Sequence, residues 1–284
     1  MKLEIAKREQ AKIKIGIQGA SGSGKTYSSL LLAYGLSKDW SKIAVIDTEN
    51  KSSSLYSNLG RFFLIDFKPP YSPERYFEAI NVCIASGIET IIIDSISMEW
   101  EFILDAHSQL TGNSYTNWAK FTPRHQKFIN AILQADAHII CTLRSKQDYV
   151  LTPNKDGKLI PEKVGMKAIQ RDGVDYELTI VFELDHKNNA SVSKDRTGLF
   201  MGKPEFVLSE ATGQEILSWC NQGEIIVRDY EALIKSCETF EELRNFYESV
   251  SNEIQIQFKD NFNQRKSQLS SFKPTFIQNG TATN

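Results

Sequence analysis

Gly19-Ala20-Ser21-Gly22-Ser23-Gly24-Lys25-Thr26 matches the pattern G-x-x-x-x-G-K-[ST] in full. A loop with this pattern turns its backbone N–H groups inward around phosphate oxygens, and its glycines supply dihedrals that a Cβ would forbid. Lys25 then reaches the β- and γ-phosphates, and the Thr26 hydroxyl meets Mg²⁺. The flanks agree with the motif. Upstream, Ile13, Ile15 and Ile17 alternate with Lys14 and Gly16, the period of a short strand. Downstream, Leu30, Leu31, Tyr34 and Leu36 belong to a helix that ends before Asp39 and points its positive dipole end at the phosphates.

Working outward, short apolar runs recur at Ile43–Ile46, Phe62–Ile65, Thr90–Ile93 and His138–Cys141. Continuous β-branched runs suit strands buried on both faces of a mostly parallel sheet. Helical segments around 73–86, 97–110 and 119–135 alternate with them, so the pattern predicts a doubly wound α/β core that binds its ligand at the carboxyl ends of the strands. Residues 144–174 read as polar and irregular, broken by Pro153, Gly157, Pro161 and Gly165. Tyr176–Phe182 and Ala190–Ser193 read as two later strands joined by a turn at 187–189. These boundaries give a core over 1–220 and a helical module over 221–269. Within the module, Thr239 and Glu242 form a capping box, and Ile254, Phe258 and Phe262 mark a third helix. Residues 270–284 carry one charge and read as a disordered tail.

Composition narrows the function classes. The chain of 284 residues is 41% hydrophobic and 24% charged, with a net charge of −2. That balance is globular and lacks the basic footprint of a whole-surface nucleic-acid binder, so any such contact must come from a local patch. No apolar run approaches a membrane span, and Met1-Lys2-Leu3-Glu4 begins no signal peptide, so membrane association is not expected. Four scattered cysteines without a C-x-x-C pair, and four histidines without ligand spacing, read as structural residues of a reducing cytoplasm.

Two further segments carry chemistry. The run Ile91-Ile92-Ile93-Asp94 ends in the carboxylate expected to complete a Mg²⁺ shell with Thr26. The second strand ends Asp47-Thr48-Glu49, where a carboxylate can either polarise an attacking water or cap a turn, and spacing alone leaves both open.

With these residues in hand, the chain resembles the RecA-like P-loop ATPases. The resemblance rests on the loop, on Glu49, on Ile91–Ser95 and on Lys194-Asp195-Arg196-Thr197-Gly198 after a late strand. It is closer still, over roughly residues 12–205, to phage-type single-domain nucleotide-binding proteins linked to single-strand annealing. That similarity includes Ser114–Trp118, Thr142-Leu143-Arg144 and Gln170-Arg171-Asp172-Gly173. The resemblance implies ATP and Mg²⁺ as ligands, Glu49 as the base with Asp47 structural, and Lys194 and Arg196 as groups reaching a neighbouring subunit's γ-phosphate in a homo-oligomer. Thr142 and Arg144, where RecA itself has a glutamine, would sense the γ-phosphate.

The resemblance further implies single-stranded DNA as a partner. Tyr115 and Trp118 could stack on bases, although Trp118 better suits burial against the following helix. Over 144–171, Arg144, Lys146, Lys155, Lys158, Lys163, Lys167 and Arg171 outnumber Asp148, Asp156 and Glu162, as suits a DNA loop or a lid over ATP. Two other readings stay open: a nucleotide-regulated interaction protein that works through its C-terminal helices, and a small-molecule or nucleotide kinase.

Overall fold

The computed structural model describes residues 5, 8–153, 159–223, 229–250 and 252–271. The chain divides into two compact units, Met1–Ile226 and Val227–Asn284.

The first unit is built on a sheet centred on β1 (Lys14–Gly19), which leads through the glycine loop into α1 (Lys25–Ser37). There follow β2 (Ile43–Asp47), β3 (Phe63–Asp66), α2 (Pro73–Ala85), β4 (Thr90–Asp94), α3 (Ser97–Ser108), α4 (Ser114–Gln134) and β5 (His138–Pro153). The chain continues through β6 (Leu159–Ala168), α5 (Val174–Glu177), β7 (Ile180–Leu184), β8 (Asn189–Asp195), β9 (Phe206–Val207) and α6 (Glu210–Cys220). Strand order is β3-β2-β4-β5-β1-β7-β8-β9, with β6 paired to β5 off that path. Pairings from β3 to β7 are parallel, and β7-β8-β9 close the edge antiparallel. The result is a mixed α/β core around a largely parallel sheet, as the sequence pattern predicts.

The pleat explains why the middles of the central strands are apolar on both faces. In β2, β4 and β5, Ala44, Ile46, Ile91, Ile93, Ile139 and Cys141 face one core with α2 and α4. Their alternates Val45, Ile92 and Ile140 face the other core with α1 and α6. A strand covered on both sides has no solvent face to keep polar. Among these strands Lys14 intrudes as a charge, and it is satisfied by the Ala135 and Ala137 carbonyls at 2.8 and 2.6 Å. His138 likewise serves structure, accepting from the Ile13 N–H at Nδ1 (3.1 Å), and burial pushes its pKa down to about 3.

The structure departs from the sequence reading in four places. β5 does not stop at Cys141: it runs on and forms an antiparallel hairpin with β6 through the stretch read as irregular, with Leu151 opposite Pro161. A two-stranded ribbon has free edges, so its prolines cost no central ladder bond. The strand expected from Tyr176 starts only at Ile180, because Gly173 (φ 98°) opens the single turn of α5 over 174–177. α4 starts at Ser114 rather than near 119, since the Asn113 side chain accepts the Tyr115 N–H at 2.8 Å and caps it. α6 was not anticipated at all.

The second unit holds α7 (Tyr230–Ser236), α8 (Phe240–Ser249), α9 (Asn252–Gln257) and α10 (Lys259–Ser271). Its small core gathers Ile234, Cys237, Leu243, Val250 and Phe262. The Thr239–Glu242 capping box is formed in both directions. The expected third helix is two, since Ile254 lies in α9 and Phe262 in α10. Of the segment read as a disordered tail, Ser270 and Ser271 belong to α10 and 272–284 lie outside the described residues. Among the described residues, no helix is long and apolar enough to cross a membrane.

Candidate nucleotide site

The glycine loop leaves β1 at Gly19 and crosses to α1 with Gly22 and Gly24 at φ of 81° and 80°, in the left-handed region. Gly24 is the N-cap of α1, so no side chain satisfies that end of the helix, and the first turn holds no acidic residue. The positive end of a 13-residue helix is thereby kept for an external anion. Lys25 Nζ lies folded over the loop, donating to the Gly19 and Ala20 carbonyls at 3.1 and 2.9 Å. Burial holds its pKa below the ordinary lysine value, against the opposing pull of Asp94 and Glu49.

β5 lies between β1 and β4, so the carboxyl end of β4 is approached from two sides. Thr26 Oγ1 donates to Asp94 Oδ2 at 2.6 Å, and Thr142 Oγ1 of β5 donates to Oδ1 at 2.5 Å. Asp94 is 1% exposed. Burial raises its pKa, the two hydroxyls pull it down, and Glu49 and Asp47 push it up again. A buried carboxylate beside a hydroxyl, with further acidic charge nearby, fits a hard divalent cation. Mg²⁺ takes one or two protein oxygens and completes its octahedron with water and phosphate. Ser95 Oγ, adjacent in sequence, is buried without a hydrogen-bond partner among the described residues. No group of three or more His, Cys, Asp or Glu that could hold a metal occurs among the described residues, so the donor set suits a metal that arrives with phosphate rather than an all-protein cage.

At the end of β2 the two carboxylates divide their roles. Asp47 Oδ1 accepts the Glu49 N–H at 2.7 Å, while Oδ2 accepts the Ser53 N–H at 2.9 Å and its hydroxyl at 2.5 Å. Asp47 therefore folds the turn that presents Glu49. The Glu49 carboxylate is held by Arg144, whose Nε and Nη2 both lie 2.9 Å from Oε1. Arg144 is itself fixed through its backbone N–H to Ser97 Oγ at 3.0 Å. The loop, the Thr26–Asp94 pair and the Glu49 carboxylate thus converge on the carboxyl edge of four adjacent strands.

A family model described as an AAA domain matches residues 11–214. The chain belongs to the AAA domain family. No curated protein matches it. Family membership and the complete phosphate loop make this AAA domain a nucleotide-binding P-loop NTPase.

The remaining sequence-derived residues of the AAA domain lie elsewhere. Lys194 and Arg196 sit at the opposite end of the sheet from the loop. Asp195 pairs with Ile180 at the start of β7, whereas Gly19 pairs with Leu184 at its end. Both cations are tied within their own chain: Lys194 Nζ donates to the Asp175 carbonyl at 3.2 Å and to that of Tyr176, and Arg196 Nη2 donates to Tyr176 O at 2.8 Å. Asp195 organises the turn, accepting from the N–H groups of Thr197 and Phe200 at 2.7 and 2.8 Å.

Among the residues assigned to DNA, Tyr115 and Arg171 line one cleft with Trp100 and Trp118. Lys167 pairs with Asp172 at 2.8 Å on the β5–β6 hairpin. Lys158 lies outside the described residues, and Lys163 is placed only by its register opposite Tyr149. Sequence reasoning missed two relationships. Arg144 stands 95 positions from the Glu49 it holds, and Thr142 reaches Asp94. No local signal links such distant segments.

Proposed function

We propose that this AAA domain is a Mg²⁺-dependent ATPase that acts on single-stranded DNA in recombination or annealing, assembled so that nucleotide lies at subunit interfaces. The observation that carries the hydrolytic part is the convergence of Lys25, Thr26, Asp94 and Glu49 on one edge of the sheet. Mg²⁺, when bound, neutralises charge on the β- and γ-phosphates. Thr26 and Asp94 would hold it. Lys25 exchanges two loop carbonyls for phosphate oxygens, recovering in ionic contacts what its burial costs. Glu49 orients a water and takes its proton as the water oxygen bonds to the γ-phosphorus. The bond from that phosphorus to the β–γ bridging oxygen breaks, and ADP and inorganic phosphate leave. Arg144 aligns the carboxylate and stands close enough to the site to answer to a new anionic group.

Support for the DNA part comes from the RecA-like resemblance and from the basic β5–β6 hairpin. The hairpin continues directly from Arg144, and the Ile169 N–H of the returning strand donates to the Arg144 carbonyl at 2.7 Å. A strand gripping the hairpin would therefore bear on the residue that holds Glu49.

ATP binding and turnover, each measured with and without single-stranded DNA, test the reading. Lys25→Ala should abolish binding. Glu49→Gln should bind Mg²⁺·ATP within about twofold of the parent and turn over about 100-fold more slowly or worse, as expected when only general-base help is removed. Parental turnover by Glu49→Gln would return that residue to a capping role, and a parent that binds no ATP would end the ATPase reading.

A further inference from the structure

The α3–α4 layer carries a feature that nucleotide hydrolysis does not use. On α4, Tyr115, Trp118 and Thr122 recur at i, i+3 and i+7, so they share one stripe. A neighbouring stripe, Phe121, His125, Phe128 and Ile132, is buried in the helix packing. The first stripe forms one wall of an open cleft of about 630 Å³, with Trp100 of α3 and Arg171 also lining it. That volume falls within the range of small-ligand sites, about 300–1,000 Å³. Its floor is rigid: the Trp118 ring stacks on His107 at 4.2 Å and on Trp100 at 5.7 Å, interplanar angles 21° and 19°. Tyr115 stands above this floor 86% exposed, although a tyrosine on a helix this amphipathic has an apolar side available to it.

The lining chemistry selects its ligand. Aromatic rings and a proline favour a planar group that can stack. Among the described residues, the only charged one in the lining is a cation, Arg171, and no carboxylate is present. An ammonium ligand would meet like charge there, whereas a planar group attached to a phosphate meets both of its requirements. We infer that this cleft takes an unpaired base of single-stranded DNA, stacked on Tyr115, with Arg171 on the adjoining phosphate. The inference rests on the single-stranded DNA reading above and gives that strand a second anchor beside the hairpin. Arg171 also links the cleft to the site edge: its N–H donates to Gln170 Oε1 at 2.8 Å, and Gln170 Nε2 donates to the Ile96 carbonyl, two residues after Asp94, at 3.0 Å.

The test compares an oligo-dT strand with an abasic strand of equal length, which keeps the phosphates and removes the bases. Binding is read by anisotropy across a salt series with the full chain. The parent should bind oligo-dT about 10-fold more tightly than the abasic strand. Tyr115→Ala should lose that preference while keeping its salt slope, and Tyr115→Phe should restore it. Arg171→Ala should lower the slope by about one unit. Because Tyr115 is so exposed, ATP binding and melting temperature should be unchanged, which separates a lost contact from a misfolded protein. A parent that binds both strands equally, or a Tyr115→Ala variant that still prefers bases, overturns the cleft and leaves DNA binding to the hairpin. A parent that binds neither strand overturns the DNA reading itself.

Discussion

Asp94, the proposed metal ligand, burdens the protein when no cation balances it. Its carboxyl is buried and its pKa stands above the ordinary aspartate value of 3.8. A group whose folded pKa exceeds its unfolded value makes its contribution to stability below the unfolded pKa, and loses it as pH rises through the folded pKa. At neutral pH, therefore, ionised Asp94 weakens the ligand-free fold, and a divalent cation reverses the imbalance. Asp94→Asn should melt several degrees higher than the parent near pH 7, since roughly 1 kcal/mol moves a domain of this size by about 2–4 °C. The gap should shrink as pH falls into the carboxylate range. Adding Mg²⁺·ATP should raise the parent and leave the variant nearly unmoved. Thermal scans over pH and ligand check all three, and a variant less stable at pH 7 would show that Asp94 is held chiefly for its hydroxyl partners.

Among the elements, α1 owes its position to a partner that the sequence did not announce. Gly35 of α1 and Gly213 of α6 face one another so closely that a Cβ on Gly213 would collide with the Leu32 carbonyl, and one on Gly35 with that of Glu210. The two helices meet backbone to backbone, and α1 carries Lys25 and Thr26 at its other end. Helix propensity alone would make alanine better than glycine at position 213 by up to about 1 kcal/mol. Contact predicts the opposite sign: Gly213→Ala should destabilise by about 1–3 kcal/mol in a denaturant titration, the usual cost of overpacking, and weaken ATP binding as α1 shifts. A neutral or stabilising result would mean that α6 can slide without disturbing the loop.

For the molecule as a whole, the open matter is whether one copy suffices. Lys194 pairs with Val181 and Asp195 with Ile180, three and four residues along β7 from the level of Gly19, about 10–13 Å at 3.3 Å per residue, and one strand further out. Lys194 and Arg196 cannot serve their own loop from there. Their bonds to the α5 carbonyls support a tethering role, and an interface role requires those bonds to be exchanged for a neighbour's phosphate. Arg196→Ala separates the two. As a finger acting across an interface it should bind ATP normally and lose turnover by about 10³-fold or more. Mixing it with Glu49→Gln should then restore part of the activity, while the mass in solution rises with ATP. As a tether it should lower stability and leave turnover per folded molecule intact. A chain that remains monomeric with ATP and DNA and still hydrolyses at full rate excludes the interface.

The phosphate loop, the alternation of buried strands with helices, and the acidic ends of β2 and β4 were all legible in the sequence. Each is a local demand: glycine where φ turns positive, β-branched residues where both faces are covered, a carboxylate one step past an apolar run. Whether a carboxylate after β2 polarises water or caps a turn was not legible from spacing; the structure shows Asp47 anchoring the turn through its hydrogen bonds to Glu49 and Ser53. The β5–β6 hairpin was hidden because Pro153, Gly157, Pro161 and Gly165 read as breakers, whereas a two-stranded ribbon tolerates such residues at its edges. The Arg144–Glu49 and Thr142–Asp94 pairs were hidden because strand order, not chain order, places β5 between the loop and β4. The α1–α6 contact escaped for the same reason, since two glycines become a close approach only when packing brings their backbones together. The sequence by itself determined which residues could perform phosphate chemistry. The tertiary structure decided which of them hold one another, because partners far apart along the chain are chosen by the order in which the strands assemble.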